Sequence, residues 1–203
     1  MEPEIKETSA APNADAALET TVPEAQQPAA EKQEKKKDGP LSWILTMVIT
    51  FAAALLFCAF VAQPRYVIGF SMQNTFQNND FVFIWKLGYQ PQFGDVVIAN
   101  NIAIAADKRE DLIKRVIGVS GDHIVVSNGT VTRNGKKLTE AYIKEQQWDG
   151  TNVDLTVPQG QVFLMGDNRN NSTDSRVVGP ISCSSIAGKV VLRVYPFDKF
   201  GTF

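Results

Sequence analysis

The sequence predicts a mainly β protein: a single N-terminal helix long enough to cross a membrane, then a mostly antiparallel β-domain with a small hairpin-rich excursion. Three observations carry this. An uncharged apolar run, Leu41 to Ala62, stands near the N-terminus. Beyond it, short runs rich in Val, Ile and Phe recur between turn residues. Asn128-Gly129 and Asn134-Gly135 fall between strand-like segments, where tight hairpin turns favour Asn-Gly.

Residues 1–38 contain no aromatic residue and few large aliphatics, and they are rich in Ala, Glu, Pro, Gln and Lys. Such a segment buries too little apolar surface to offset the entropy of ordering, so a disordered tail is expected. "LSWILTMVITFAAALLFCAFVA", residues 41–62, follows. At 1.5 Å per residue it reaches about 33 Å, enough for a hydrocarbon core and too long for an ordinary cleaved leader. Lys32, Lys35, Lys36 and Lys37 precede it and only Arg65 follows closely. The positive-inside rule then places the tail in the cytoplasm and residues 64–203 outside.

The exported part reads as strands at Asp80 to Leu87, Asp95 to Asn100, Leu112 to Val119, His123 to Ser127, Thr130 to Asn134, Gln161 to Gly166 and Gly188 to Phe197. A hairpin or meander is expected across 123–138, within a smaller variable subregion of about 125–155. Only Glu140 to Gln147 offers a competing helical pattern.

A net charge of −2 gives no reason to expect nucleic acid. One histidine, His123, and two cysteines, Cys58 and Cys183, support neither a zinc cluster nor a disulfide framework.

"YVIGFSMQNTF", Tyr66 to Phe76, places Ser71 shortly after the apolar run. A serine needs a base to become a nucleophile. Nothing in the sequence brings His123 to it. A lysine can serve if it is neutral, which requires burial in apolar surroundings. Lys114 suits this: on a strand it shares a face with Leu112 and Val116, while Ile113, Arg115 and Ile117 point the other way. Lys86 lies beside aromatic residues, where a snorkelling lysine is expected, and Lys136 and Lys137 fall in a turn. On pattern alone, an ordinary amphipathic-strand lysine also accounts for Lys114.

Three stretches together, "GFSMQNT" (69–75), "IKRVIGVSGD" (113–122) and "MGDNRNNSTDSRVVG" (165–179), with "FGDVVI" (93–98) between the first two, resemble the bacterial type I signal peptidases. These are membrane-anchored serine proteases with a Ser-Lys dyad and a mostly β catalytic domain. The resemblance spans about residues 41–197. It implies Ser71 as nucleophile, Lys114 as general base and Ser172 as the serine that orients the lysine. It implies that Asp174 and Arg176, with Asp167 and Arg115, brace the site, and that Asn168, Arg169 and Ser175 shape the last motif. Asn74 stands where the family usually has proline, and Ser120 replaces the first residue of its "PGD" turn. Gly69 replaces a serine that helps hold the oxyanion in some members, so the Ser71 N–H must carry more of that task.

The implied reaction is cleavage of signal peptides from exported preproteins after a small-x-small segment, by acyl transfer that needs no metal and no other cofactor. The implied surroundings are the lipid bilayer and the secretion translocon, in the plasma membrane. Ile68, Phe70 and Met72 are the expected cleft wall. Ser71 lies nine residues past Ala62, at most about 30 Å of chain, so it must stay near the membrane surface. Phe81, Phe83 and Trp85 share one strand face, which suits either the membrane interface or a core. Two rivals remain: a self-cleaving repressor-type Ser-Lys protease, which would need a DNA-binding domain, and a non-catalytic tethered β-module.

Overall fold

The structure, a computed structural model, describes residues 39–203. The predicted tail, 1–38, lies outside the described residues. Helix α1 spans Pro40–Phe60, opened by a proline whose fixed φ and missing N–H suit the first helical position. None of its residues is buried.

The apolar run ends its helix earlier than the sequence suggested. Ala62 already belongs to strand β1 (Ala62–Tyr66), paired antiparallel with β2 (Phe81–Trp85) in the register Ala62 to Trp85 and Tyr66 to Phe81. Pro64 sits inside β1, which is tolerated because β1 is the terminal strand of its sheet.

β3 (Val96–Ala105) and β4 (Lys108–Val119) form a long hairpin that runs past both predicted strands. β5 (His123–Ser127), β6 (Thr130–Arg133), β7 (Lys136–Lys137) and β8 (Val153–Thr156) make a separate four-stranded sheet in the order β7-β6-β5-β8. This is the expected excursion. Its two Asn-Gly turns hold both residues at positive φ: Asn128 at 47°, Gly129 at 68°, Asn134 at 52° and Gly135 at 76°. Glu140 to Gln147 forms no helix.

β9 (Gln161–Met165), α2 (Ser175–Val178), β10 (Ile181–Ser182), β11 (Ile186–Tyr195) and β12 (Gly201–Thr202) complete the chain. The main sheet runs β1-β2-β11-β3-β4-β9-β10, with β12 added to β11. Every pairing is antiparallel.

Three apolar clusters hold this together. Val67, Met72, Phe76, Val82, Ile84 and Ile113 belong to the first. Ile117, Ile124, Trp148 and Phe163 belong to the second, between the sheets. Val97, Leu112, Val116 and Leu164 belong to the third. In β2 the alternation is clean: Val82 and Ile84 are fully buried, while Phe81 and Phe83 are half-buried and Trp85 is exposed on the opposite face. The aromatic residues of β2 are therefore outer-face residues and not core. Tyr66 joins them, 4.9 Å from Phe81 between ring centroids.

Gly188 in β11 lies against the backbone of Trp85, where an added Cβ would overlap the Trp85 carbonyl oxygen. Gly188→Ala should destabilise the protein by about 1–3 kcal/mol through overpacking. A lower melting temperature of the detergent-solubilised chain would register this.

Candidate active site

The chain leaves β1 at Tyr66 and enters a short, heavily bonded turn. Val67 N–H donates to the Asp80 carbonyl at 2.9 Å, and its carbonyl accepts from Asn79 N–H at 2.8 Å. Gly69 adopts φ 92°, in the region that favours glycine, and its N–H donates to Asn78 Oδ1. Gln73 N–H donates to the Phe70 carbonyl at 3.2 Å, closing a turn around Ser71, and Thr75 and Phe76 both donate backbone N–H groups to the Met72 carbonyl just after it. Met72 and Phe76, 1% and 0% exposed, point into the first apolar cluster and pin the turn from below. Asn74 is exposed, and the turn closes without a proline there.

Lys114 comes to this turn from the middle of β4. It pairs in register with Val97, so it shares a face with Leu112 and Val116 of the third cluster. Only 3% of it is exposed. Its Nζ donates to Ser71 Oγ at 2.6 Å and to the Ile113 carbonyl at 3.1 Å. Burial pushes its pKa down from 10.5 to about 8, although the charge of Asp174 pulls it upward. The serine and its candidate base are therefore in contact, and the base approaches neutrality in the physiological range.

The neighbouring residue faces the other way. Arg115 clasps Asp167 with Nε to Oδ1 at 2.9 Å and Nη2 to Oδ2 at 2.7 Å. Asp167 is fully buried and also accepts from Thr75 Oγ1 at 2.5 Å. One carboxylate thus joins β4 to the turn carrying Ser71. From the same loop, Asn168 N–H donates to the Ser71 carbonyl at 2.9 Å, and Asn168 Nδ2 donates to the Phe70 carbonyl at 3.1 Å. Among the described residues the Ser71 N–H makes no backbone hydrogen bond, so it is free to donate to an acceptor placed against the turn.

Asp174 caps α2 and accepts from Gly166 N–H, Arg176 N–H, Arg176 Nε and Arg176 Nη2. Burial alone would raise its pKa, but the Arg176 guanidinium and the Gly166 N–H outweigh this and hold it below the usual carboxylate range. Arg176 Nη2 donates to the Arg169 carbonyl, and Arg169 is itself clasped by Glu140 at 2.8 and 2.5 Å. Both guanidiniums lie over the Trp148 ring, at 5.1 and 5.3 Å from its centroid. Ser175 Oγ accepts from Leu164 N–H at 2.9 Å, tying α2 to β9.

Several expectations change. Ser172 makes no hydrogen bond to Lys114. Its buried Oγ has no partner of good geometry, although it lies near enough to favour the charged form of Asp174. It stands beside the dyad all the same: a Cβ on Gly166 would overlap Ser172 Oγ and stand 2.6 Å from the Ser71 carbonyl oxygen.

The cleft wall also differs. A groove of about 330 Å³ is lined by Pro64, Arg65, Tyr66 and Ile68 on one side and by Ile98, Asp111, Leu112 and Ile113 on the other. Ile68 is in it. Met72 is not, because its side chain anchors the turn in the core, and Phe70 is exposed outside the groove. His123 is exposed on the second sheet, where its Nε2 lies 2.7 Å from Asp154 Oδ1, and it has no part in the dyad. Ser120, in the proline position of the "PGD" turn, accepts from Gly160 N–H and donates to the Gln161 carbonyl. Asp122 holds that turn through Val119 N–H. Lys86 Nζ bonds the end of α1. Sequence reasoning did not mark Thr75, Ile98 or Ile113 for the site.

The model of the family described as "Signal peptidase, peptidase S26" matches residues 41–195. The chain belongs to the signal peptidase family. Among its curated relatives, a probable signal peptidase I-1 of Synechocystis sp. is 39% identical over 76% of this chain and 82% of its own. A signal peptidase I of Bacillus licheniformis is 34% identical over 83% and 96%. Signal peptidase IB of Staphylococcus aureus is 34% identical over 79% and 92%. A crystal structure of a signal peptidase I from Enterococcus faecalis aligns at 26% identity with a TM-score of 0.42, covering 50% of this chain and 97% of that one. Family membership makes the chain a peptidase and a hydrolase of signal-peptide processing.

Asp174→Ala should cost about 3–5 kcal/mol, because it strands the buried Arg176 charge and the Gly166 N–H. Asp174→Asn should cost less, since an acceptor remains. Unfolding of the solubilised variants compares the two. As a lowered carboxylate, Asp174 contributes its stability above about pH 4 and loses it as pH falls through its folded pKa.

Proposed function

We propose that this peptidase removes signal peptides from exported preproteins by acyl transfer, with Ser71 as nucleophile and Lys114 as general base. The contact of a buried Lys114 Nζ with Ser71 Oγ at 2.6 Å carries this reading. Neutral Lys114 takes the Ser71 proton, and Oγ attacks the scissile carbonyl. The Ser71 N–H, which no side chain of Gly69 can assist, donates to the oxyanion. The Lys114 ammonium then protonates the leaving amine, which frees the mature chain. A water, deprotonated by the same lysine, releases the acyl half and restores the serine. Asp167, Arg115, Asp174 and Arg176 hold the two reacting side chains in register, and Ser172 fills the space behind them.

The groove accounts for the substrate. β1 ends its sheet, and β4 pairs with β9 only from Arg115 onward, so both strands offer unpaired backbone beside Ser71. An extended peptide can add to those edges as a strand. Ile68, Ile98 and Ile113 leave room for small side chains at alternate positions, which suits a small-x-small segment.

Helix α1 anchors the chain in the plasma membrane with its N-terminus in the cytoplasm and the β-domain outside. There the outer-face aromatics Tyr66, Phe81, Phe83 and Trp85 meet the interface, and the site works beside the translocon.

Cleavage of a preprotein by the solubilised full chain tests the dyad. Ser71→Ala and Lys114→Ala should each abolish it, and Lys114→Arg should too, because arginine does not deprotonate in proteins. Full activity in any of the three refutes the mechanism. His123→Ala should cleave at the wild-type rate.

The acylation rate should rise with pH through about 8, the value burial gives Lys114. Near pH 7, roughly one-tenth of the lysine is then neutral. A pH–rate profile of kcat/KM without a rising limb in that range contradicts Lys114 as base. The same depression has a sign for stability. Between about pH 8 and 10.4 the unfolded chain binds the extra proton, so this residue makes stability increase with pH across that window.

A further inference from the structure

Helix α1 has no basic residue in its last turn, so the negative end of its dipole and its final carbonyls find no cation within the helix. A residue from outside supplies one. Lys86 Nζ donates to the Ala59 carbonyl at 2.9 Å, and Lys86 N–H donates to the Val61 carbonyl at 2.9 Å. Lys86 follows Trp85, the residue paired with Ala62 at the first rung of the β1–β2 ladder. That rung therefore stands directly at the helix end, and Lys86 extends the ladder onto the helix by two bonds. Only Val61 separates α1 from β1, and its own N–H still bonds back to Phe57.

The other end of the ladder leads to Ser71. β1 pairs with β2 residue by residue to Tyr66, Val67 is bonded on both backbone groups to Asn79 and Asp80, and Gly69 is bonded to Asn78. Ser71 is thus connected to α1 by a bonded ladder as far as Val67, and of the three residues between, Gly69 is tied to Asn78 and Phe70 to Gln73 and Asn168.

We infer that Lys86 is a positioning residue: by capping α1 it fixes the helix to the sheet and so sets the height of Ser71 above the bilayer. This rests on the proposed removal of signal peptides, whose apolar segments lie in the same bilayer. A substrate held in the membrane presents its scissile bond at a defined height, and a rigid joint meets it there. A peptide free in water carries no such constraint. Lys86 bonds neither Ser71 nor Lys114, so its loss leaves the chemistry intact.

The test uses the full chain in lipid vesicles, with two substrates: a preprotein whose signal peptide is inserted in the same vesicles, and a water-soluble peptide spanning the same cleavage segment. Lys86→Met keeps the stem and removes the donor. It should lower kcat/KM for the inserted preprotein by about two- to five-fold, the scale of a cation at a helix C-terminus, and leave the soluble peptide unchanged. Lys86→Arg, which still donates, should restore the preprotein rate. Equal losses on both substrates, or no loss on the preprotein, overturn the inference.

A second measurement is independent of activity. A fluorophore at Asn74→Cys, in a chain whose own two cysteines are replaced, is read against quenchers set at known bilayer depths. Lys86→Met should broaden the single depth of the parent. An unchanged depth overturns the inference whether or not the chain cleaves. A wild-type chain that cleaves neither substrate counts against the proposed function alone.

Discussion

The carboxylate of Asp167 is fully buried, clasped by Arg115 on both oxygens and bonded by Thr75 as well. The rest of the site depends on this knot. Arg115 is the next residue after Lys114, and Thr75 is four residues after Ser71. Joining these two side chains fixes the separation of the elements that carry Ser71 and Lys114. A buried charge that loses its partner is strongly destabilising, so the junction resists slippage of β4 against the turn. Arg115 also donates to the Gly94 carbonyl and lies 4.1 Å from the centre of the Tyr142 ring, which leaves the guanidinium few alternatives.

Lys114 and Arg115 show how one strand treats adjacent cations oppositely. The arginine receives a full carboxylate partner. The lysine receives none: Asp174 and Asp167 lie close enough to pull its pKa up, but both spend their oxygens on other donors, and burial wins. Holding a lysine near 8 instead of its ordinary value costs about 3 kcal/mol. That cost falls on folding stability. Asp167 and Asp174 stay paired with Arg115 and Arg176, so the last motif leaves the lysine without a carboxylate of its own.

Much of this was legible in the sequence, for reasons that differ by element. The strands from Asp80 to Phe197 were marked by runs of Val, Ile and Phe, and the second sheet by its two Asn-Gly turns. β1 was hidden because its sequence, Ala-Gln-Pro-Arg-Tyr, has no strand pattern of its own; pairing with β2 makes it a strand. Lys114 was favoured by its same-face neighbours, and its contact with Ser71 is set by tertiary packing across 43 positions. Thr75 carried no signal, since its partner lies 92 residues away. The error over Met72 has a plain cause. Adjacency to Ser71 suggests a cleft residue, but the chain there makes a helix-like turn, and Met72 and Phe76, four apart, share its inward face.

Gly166 stands directly behind Ser71, with Ser172 Oγ and the Ser71 carbonyl packed against its Cα. Backbone fills that side of the site, with Asn168 N–H bonded to the same carbonyl. Ser71 itself is partly exposed, on a side that this packing does not close. The absence of a single Cβ at Gly166 is what lets the turn and the last motif close on each other there.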